Sequence, residues 1–217
     1  MWSPPWGLSC PDPPPNDDAD HIRMLVDSNP HVPSRIEALI DRTGESPVPC
    51  LVEMARGLER QGADFLVIPC NTAHHYHAEV AAAVDVPVLN LIELTARDAN
   101  RLRPDLTRVG LLASTALQHI RLYEPWFEEP GVRVLYPGSD VQQELMELIR
   151  AVKAGRYTPG QVAACDRAAE DLRALGAQCL VVACTELSVV VERLNTDLPV
   201  CDAADVLARA VIREALG

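Results

Sequence analysis

Two of the seven cysteines stand in the same local pattern. Cys70 ends the apolar run LVIP and is followed by Asn71 and Thr72; Cys184 ends LVVA and is followed by Thr185 and Glu186. A lone cysteine in such a place is ordinarily an inert core residue. Asn and Thr, however, are good caps for a helix that starts there, and a helix start favours a negative charge. A thiol beside it is expected to ionise more readily and to act as a base or nucleophile. Two such thiols on opposite sides of one carbon suit stereoinversion. One thiolate would remove an α-proton and the other thiol would deliver a proton to the opposite face.

The likeness extends beyond the cysteines. ERQGADFLVIPCNT (Glu59–Thr72) aligns without gaps to RALGAQCLVVACTE (Arg173–Glu186), matching Gly62 with Gly176, Ala63 with Ala177, Leu66 with Leu180, Val67 with Val181 and Cys70 with Cys184. A Pro-Val pair follows each copy, at Pro87-Val88 and Pro199-Val200. This is an internal duplication of a helix–strand unit. The apolar run TRVGLLAST, ahead of the second copy, has no counterpart ahead of the first: the same separation counted back from Cys70 runs off the start of the chain.

The elements that must position these residues alternate. Short, nearly continuous apolar runs predict strands at Ile22–Asp27, Asp64–Pro69, Val86–Leu91, Arg108–Ala113, Val132–Tyr136, Gln178–Ala183 and Pro199–Cys201, as expected of strands covered on both faces. Three-and-four spacing predicts helices at Ser34–Asp41, Val48–Gln61, Ala73–Val84, Glu93–Arg103, Val141–Ala154, Pro159–Leu175, Glu186–Leu194 and Ala203–Leu216. Gly62 and Gly176 suit helix C-caps. The alternation predicts an α/β fold of mainly parallel sheets, whose ligands sit at the carboxyl ends of strands. Residues 1–20, rich in Pro and then Asp, read as an irregular or disordered leader.

The 217 residues carry 19 basic and 31 acidic side chains, for a net charge of −12. That excludes the broad basic face a nucleic acid requires, but not a locally positive pocket for a small acid. No apolar run approaches the roughly 18 residues of a membrane span, and no signal peptide is legible. An odd number of cysteines without a CxxC pair argues against a disulfide framework and for a reducing, cytoplasmic setting.

PCNTAHH (Pro69–His75) and ACTEL (Ala183–Leu187) resemble the two signature motifs of the aspartate/glutamate racemases, amino-acid racemases that use no pyridoxal phosphate or other cofactor. DSNPHVPSR (Asp27–Arg35), LLAST (Leu111–Thr115) and VKAG (Val152–Gly155) are similar to further family segments, so the resemblance covers residues 20–215. It implies two pseudo-symmetric, Rossmann- or flavodoxin-like lobes: residues 21–98, rejoined by the C-terminal helix 203–217, and residues 99–202, with the site between them. Cys70 and Cys184 would be the acid/base thiols. Asn71, Thr72 and Thr185 would hold the substrate's α-carboxylate, Arg35 a carboxylate, and Lys153 the side-chain carboxylate, though Lys153 reads nearly as well as a solvated helix charge. Asn29 and Thr115 would line the cleft; Glu186 is either a substrate contact or an acidic residue of a first helical turn. A homodimer, an amino-acid substrate and no metal complete the expectation. Ala183 stands where the family has Gly, and MWSPPWGLSCPDPPP lacks the family's opening strand and GGMGP loop. The last departure fits a misassigned start, a frameshifted gene end or a natural inactive relative.

Three other readings compete. Cys70 with His74, His75 and His77 could ligate zinc, but His74 and His75 face different directions on a helix and no second ligand cluster appears. Relatives with paired cysteines include isomerases and decarboxylases in which a thiolate attacks carbon. A non-catalytic relative would bind an amino acid without exchanging its Cα–H.

Overall fold

The computed structural model describes residue 17 and residues 20–41, 43–128 and 131–217. Most of the 1–20 leader therefore lies outside the described residues. The sheet is built from β1 (Arg108–Ala113), β2 (Arg133–Leu135), β3 (Cys179–Ala183) and β4 (Val200–Asp202) in the order β2-β1-β3-β4. All of its pairs are parallel. The β1–β3 register places Gly110 beside Leu180 and Ala113 beside Ala183.

Both faces of this sheet are covered, which explains the unbroken apolar runs. On one face Leu112, Leu180 and Val182 pack with Leu145, Leu148 and Ile149 of α6 (Ser139–Lys153) and Ala168 and Leu172 of α7 (Pro159–Ala174). On the other, Val109, Leu111, Val181 and Ala183 pack with Ile92, Ala96 and Ala99 of α3 (Leu91–Leu102) and with Tyr123 and Phe127. Successive residues thus alternate between two cores. A Cβ on Gly110 would lie 3.0 Å from Leu172 Cδ1 and from Leu180 Cδ2. The glycine is there because α7 approaches the strand too closely for any side chain.

The duplication is present in the backbone. Its first copy runs from α1 (Val48–Arg60) through Leu66, its second from α7 through β3. Gly62 and Gly176 both adopt φ 88°. Gly62 N–H donates to Glu59 O and Ala63 N–H to Leu58 O; Gly176 and Ala177 repeat both bonds to Arg173 and Leu172. Leu66 N–H donates to Pro87 O at 2.8 Å as Leu180 N–H does to Pro199 O at 2.9 Å.

The two copies differ in sheet content. Among the described residues, Asp64–Pro69 and Val86–Leu91 share a single parallel bridge, Leu66 with Val88. Ile22–Asp27, expected as a buried strand, has no ladder, and Met24 and Val26 are exposed. Apolar composition supplies the faces of a strand but not the partner whose backbone completes it. The expected helix at Ser34–Asp41 widens into a π-helical turn at Glu37–Asp41. The one at Ala73–Val84 is a 3-10 turn (Thr72–Tyr76) followed by α2 (His77–Ala81). Two short helices went unpredicted, α4 (Thr115–Ile120) and α5 (Glu124–Glu128). The last helices are α8 (Thr185–Ser188) and α9 (Ala203–Leu216). Through Ala203 and Leu207, α9 packs on Leu91, and Val67 from the run before Cys70 joins them.

Replacing Gly110 with Val is expected to lower the unfolding free energy by about 1–3 kcal/mol through overpacking. A urea midpoint equal to wild type would show that α7 moves away freely.

Candidate active site

Cys184 leaves β3 as the N-cap residue of α8, and its carbonyl accepts from Leu187 N–H at 2.9 Å and Ser188 N–H at 3.2 Å. Its thiol donates to Glu186 Oε2 at 3.0 Å. The other carboxylate oxygen lies 3.5 Å from Lys153 Nζ at the end of α6. Three of the expected site residues, Cys184, Glu186 and Lys153, are therefore one connected group. Burial, and next the Glu186 charge, push the Cys184 thiol well above its ordinary pKa, with Lys153 acting in the opposite sense. This overturns the expectation that the helix start would acidify it. A four-residue helix has little dipole, and desolvation of a buried thiolate outweighs it.

Cys70 is half-buried at the entry to the 3-10 turn. Its segment lacks a ladder, and a side chain holds it instead. Leu91 N–H donates to His74 Nε2 at 3.0 Å, so Nδ1 carries the proton and donates to Cys70 O at 2.9 Å. Burial lowers the His74 pKa to about 4, so the ring is neutral. Neutral His74 thereby ties the cysteine turn to the start of α3, where Asn90 caps Ile92 and Glu93 N–H. His77 Nε2 donates to Val88 O, and His75 is exposed. With both nitrogens of His74 engaged, the zinc reading loses one of its ligands. Among the described residues no group of three or more His, Cys, Asp or Glu side chains is arranged to hold a metal ion.

Asn71 is 3% exposed, and its Oδ1 accepts from Tyr123 Oη at 2.6 Å. Thr72 and Thr185 are each half-buried and first in the helical turn that follows, Thr72 two places after Cys70 and Thr185 one place after Cys184. α4 packs against both the 3-10 turn and the π-helical turn. Thr115, first in α4, donates its N–H to Met146 Sδ and lines a cavity of about 460 Å³ with Gln142 and Arg150. Arg35, just before the π-helical turn, donates to Pro33 O, and its charge acts on the Tyr76 phenol of the 3-10 turn. Asn29 accepts from His31 N–H and donates to Cys50 Sγ on α1. The described hydrogen bonds of Asn29 and Arg35 thus go to neither Cys70 nor Cys184. Tyr123 and the tautomer of His74 were not legible in advance. The Pro at position 125, in the first turn of α5, is the available signal that a helix begins beside Tyr123.

The model for the Asp/Glu/hydantoin racemases matches residues 14–211, spanning both cysteine turns. The chain belongs to the Asp/Glu/hydantoin racemase family. It is 27% identical over 197 residues to the broad specificity amino-acid racemase RacX of Bacillus subtilis (strain 168), covering 91% of this chain and 83% of that one. Its structure is similar to that of Picrophilus torridus aspartate racemase, with a TM-score of 0.80 and 28% identity over 93% of this chain and 83% of that one. Bacillus anthracis glutamate racemase isoform RacE1 shares the fold at a TM-score of 0.58 and 18% identity, over 78% of this chain and 66% of that one. The two-lobe racemase fold and membership in a family of isomerases are thereby established. No helix among the described residues is long and apolar enough to cross a membrane.

Two predictions follow from the charges in this racemase fold. His74, depressed from 6.5 to about 4, contributes stability that is fully present above pH 6.5 and is lost as pH falls towards 4, because the unfolded chain binds the proton more tightly. The loss is roughly 3 kcal/mol. His74→Asn should destabilise the protein at neutral pH and flatten its stability between pH 6.5 and 4; an unchanged slope in pH-dependent urea melts would contradict this. At Cys184, Glu186→Gln removes a negative neighbour and should move the midpoint of iodoacetamide alkylation to lower pH. Lys153→Met should move it higher. Shifts of the same sign in the two variants, read by mass spectrometry of the Cys184 peptide, would refute the coupling.

Proposed function

We propose that the protein is a cofactor-independent racemase of amino acids, with aspartate or a similar acidic amino acid as substrate and Cys70 and Cys184 as its two acid/base thiols. The observation that carries this reading is the duplication. Two backbone-equivalent helix–glycine–strand units each deliver one thiol to the same point past the strand segment, and a threonine opens the helical turn after each. The sites of α/β folds lie at that end of the strands. The thiol on Cys184 is held protonated by burial and by Glu186, so it is the proton donor in the resting enzyme, and Cys70 is the base. Cys70 takes the Cα proton, the electron pair is left on Cα, and Cys184 returns a proton to the opposite face. The cysteines exchange roles for the other enantiomer.

In this reading the substrate lies between lobes 21–98 and 99–202. Asn71, Thr72 and Thr185 hold the α-carboxylate with amide and hydroxyl donors, which suit an anion. Arg35 receives the distal carboxylate, and Asn29 and Thr115 line the cleft. The similarity to an aspartate racemase supports an acidic substrate. A second reading is favoured by one ion pair. Lys153 is already neutralised by Glu186, which leaves Arg35 as the cationic complement and relaxes the demand for an acidic side chain. That is in keeping with the broad specificity named for the Bacillus subtilis relative.

The test is deuterium incorporation at Cα, followed by NMR in D2O across L- and D-aspartate, glutamate and a panel of neutral amino acids. Incorporation is expected with aspartate and to fall by about 10²–10⁴-fold in Cys70→Ser and in Cys184→Ser. Exchange that survives both substitutions, or absence of exchange with every amino acid, would sink the proposal.

A further inference from the structure

Tyr123 is fully buried between α4 and α5. The chain reaches it through Arg121, a non-glycine residue with φ 50°, which reverses direction at the end of α4. The Arg121 guanidinium is 3.3 Å from Glu124, and Glu124 also accepts from the Tyr136 hydroxyl. The Tyr123 ring stacks on Phe127, with centroids 6.4 Å apart. Its hydroxyl therefore has a fixed position, and it points across the molecule to the Cys70 turn.

There it meets Asn71, whose Oδ1 accepts its proton at 2.6 Å. A side-chain amide has two orientations that packing barely distinguishes, one presenting its oxygen and the other its NH2. Burial raises the Tyr123 pKa far above the usual phenol value, so the hydroxyl keeps its proton. A donor at that place takes the amide oxygen and leaves the amide nitrogen for something else. Asn71 Nδ2 is buried and has no hydrogen-bond partner among the described residues. An unsatisfied buried donor is unfavourable, so it points to an acceptor that arrives from outside the chain.

We propose that Tyr123 is a positioning residue that locks the Asn71 amide with its NH2 presented as a donor to a bound carboxylate. This rests on the reading that Asn71 faces the substrate. In the reversed orientation the amide oxygen would oppose a carboxylate. Tyr123 thus converts an ambivalent side chain into a donor-only one, and the second half of the chain sets the carboxylate selectivity of the first.

Tyr123→Phe keeps the ring and removes the donor. It is expected to raise KM for aspartate about tenfold, the size of one lost hydrogen bond, with kcat within about threefold. In an Asn71→Ala background the same substitution should add nothing, because its effect passes through Asn71. A merely structural tyrosine would give additive effects and overturn the proposal. Titration with succinate, followed by the Asn71 side-chain amide signals in NMR, needs no turnover. Those signals should shift in wild type and not in Tyr123→Phe. A succinate response in wild type without Cα exchange would refute the racemase reading and leave the positioning role standing. No response in wild type, or equal responses in both proteins, would overturn the role. If Tyr123→Phe does not fold, Asn71→Asp serves, since Tyr123 can still donate to it while the outer atom becomes an acceptor. Succinate binding should be lost, and retained binding would refute the proposal.

Discussion

The Cys184 end of the molecule depends on the pairing of β1 with β3. Five register positions tie the strands together, and every residue of β3 is buried. Each fully buried Leu or Val side chain contributes about 1.5–3 kcal/mol, so Leu180, Val181 and Val182 fix the strand from both faces. The direction in which the chain leaves β3, and with it the place of the thiol, follows from that packing. The bare Cα at Gly110 is what allows α7 to close on one face while α3 closes on the other.

The first copy solves the same problem by other means. Its strand segment has one bridge among the described residues, so ladder hydrogen bonds cannot orient the Cys70 turn. Side chains do this work. His74 links Cys70 O to Leu91 N–H, Tyr123 holds Asn71, and Glu59 accepts Asp85 and Val86 N–H from the neighbouring segment. A sheet ladder resists any single substitution because its bonds are many. Three isolated side-chain contacts do not share their load, which makes the Cys70 half the more sensitive to mutation and to acid.

Much of this arrangement could be read before the structure was known. The strands at 108–113 and 178–183 were legible because burial on both faces leaves continuous Val and Leu. The equivalence of the units that lead to Cys70 and Cys184 was legible because Gly62 and Gly176 recur at the same spacing, and both glycines take the same positive φ. What failed to show was anything set by contact across the sequence. Ile22–Asp27 has the composition of a strand and none of its pairing. Tyr123 lies far along the chain from Asn71, in a turn with no periodicity. The Cys184 thiol departs from expectation because local sequence shows a helix start but not the burial that overrides it.

The burial of Cys184 bears on how two similar thiols would divide the proposed reaction. A symmetric duplication would give two equivalent acids, with nothing to decide which is ionised. Here the copies differ at the residue two places after the cysteine, Thr72 in one and Glu186 in the other. The Glu186 carboxylate accepts from the Cys184 thiol and favours its protonated form, whereas Thr72 carries no charge. In the proposed racemase the duplication would supply two thiols for opposite faces, and the Thr72/Glu186 difference would supply their polarity. A proton-transfer pair needs both, since thiols of equal character would be both ionised or both protonated over most of the pH range.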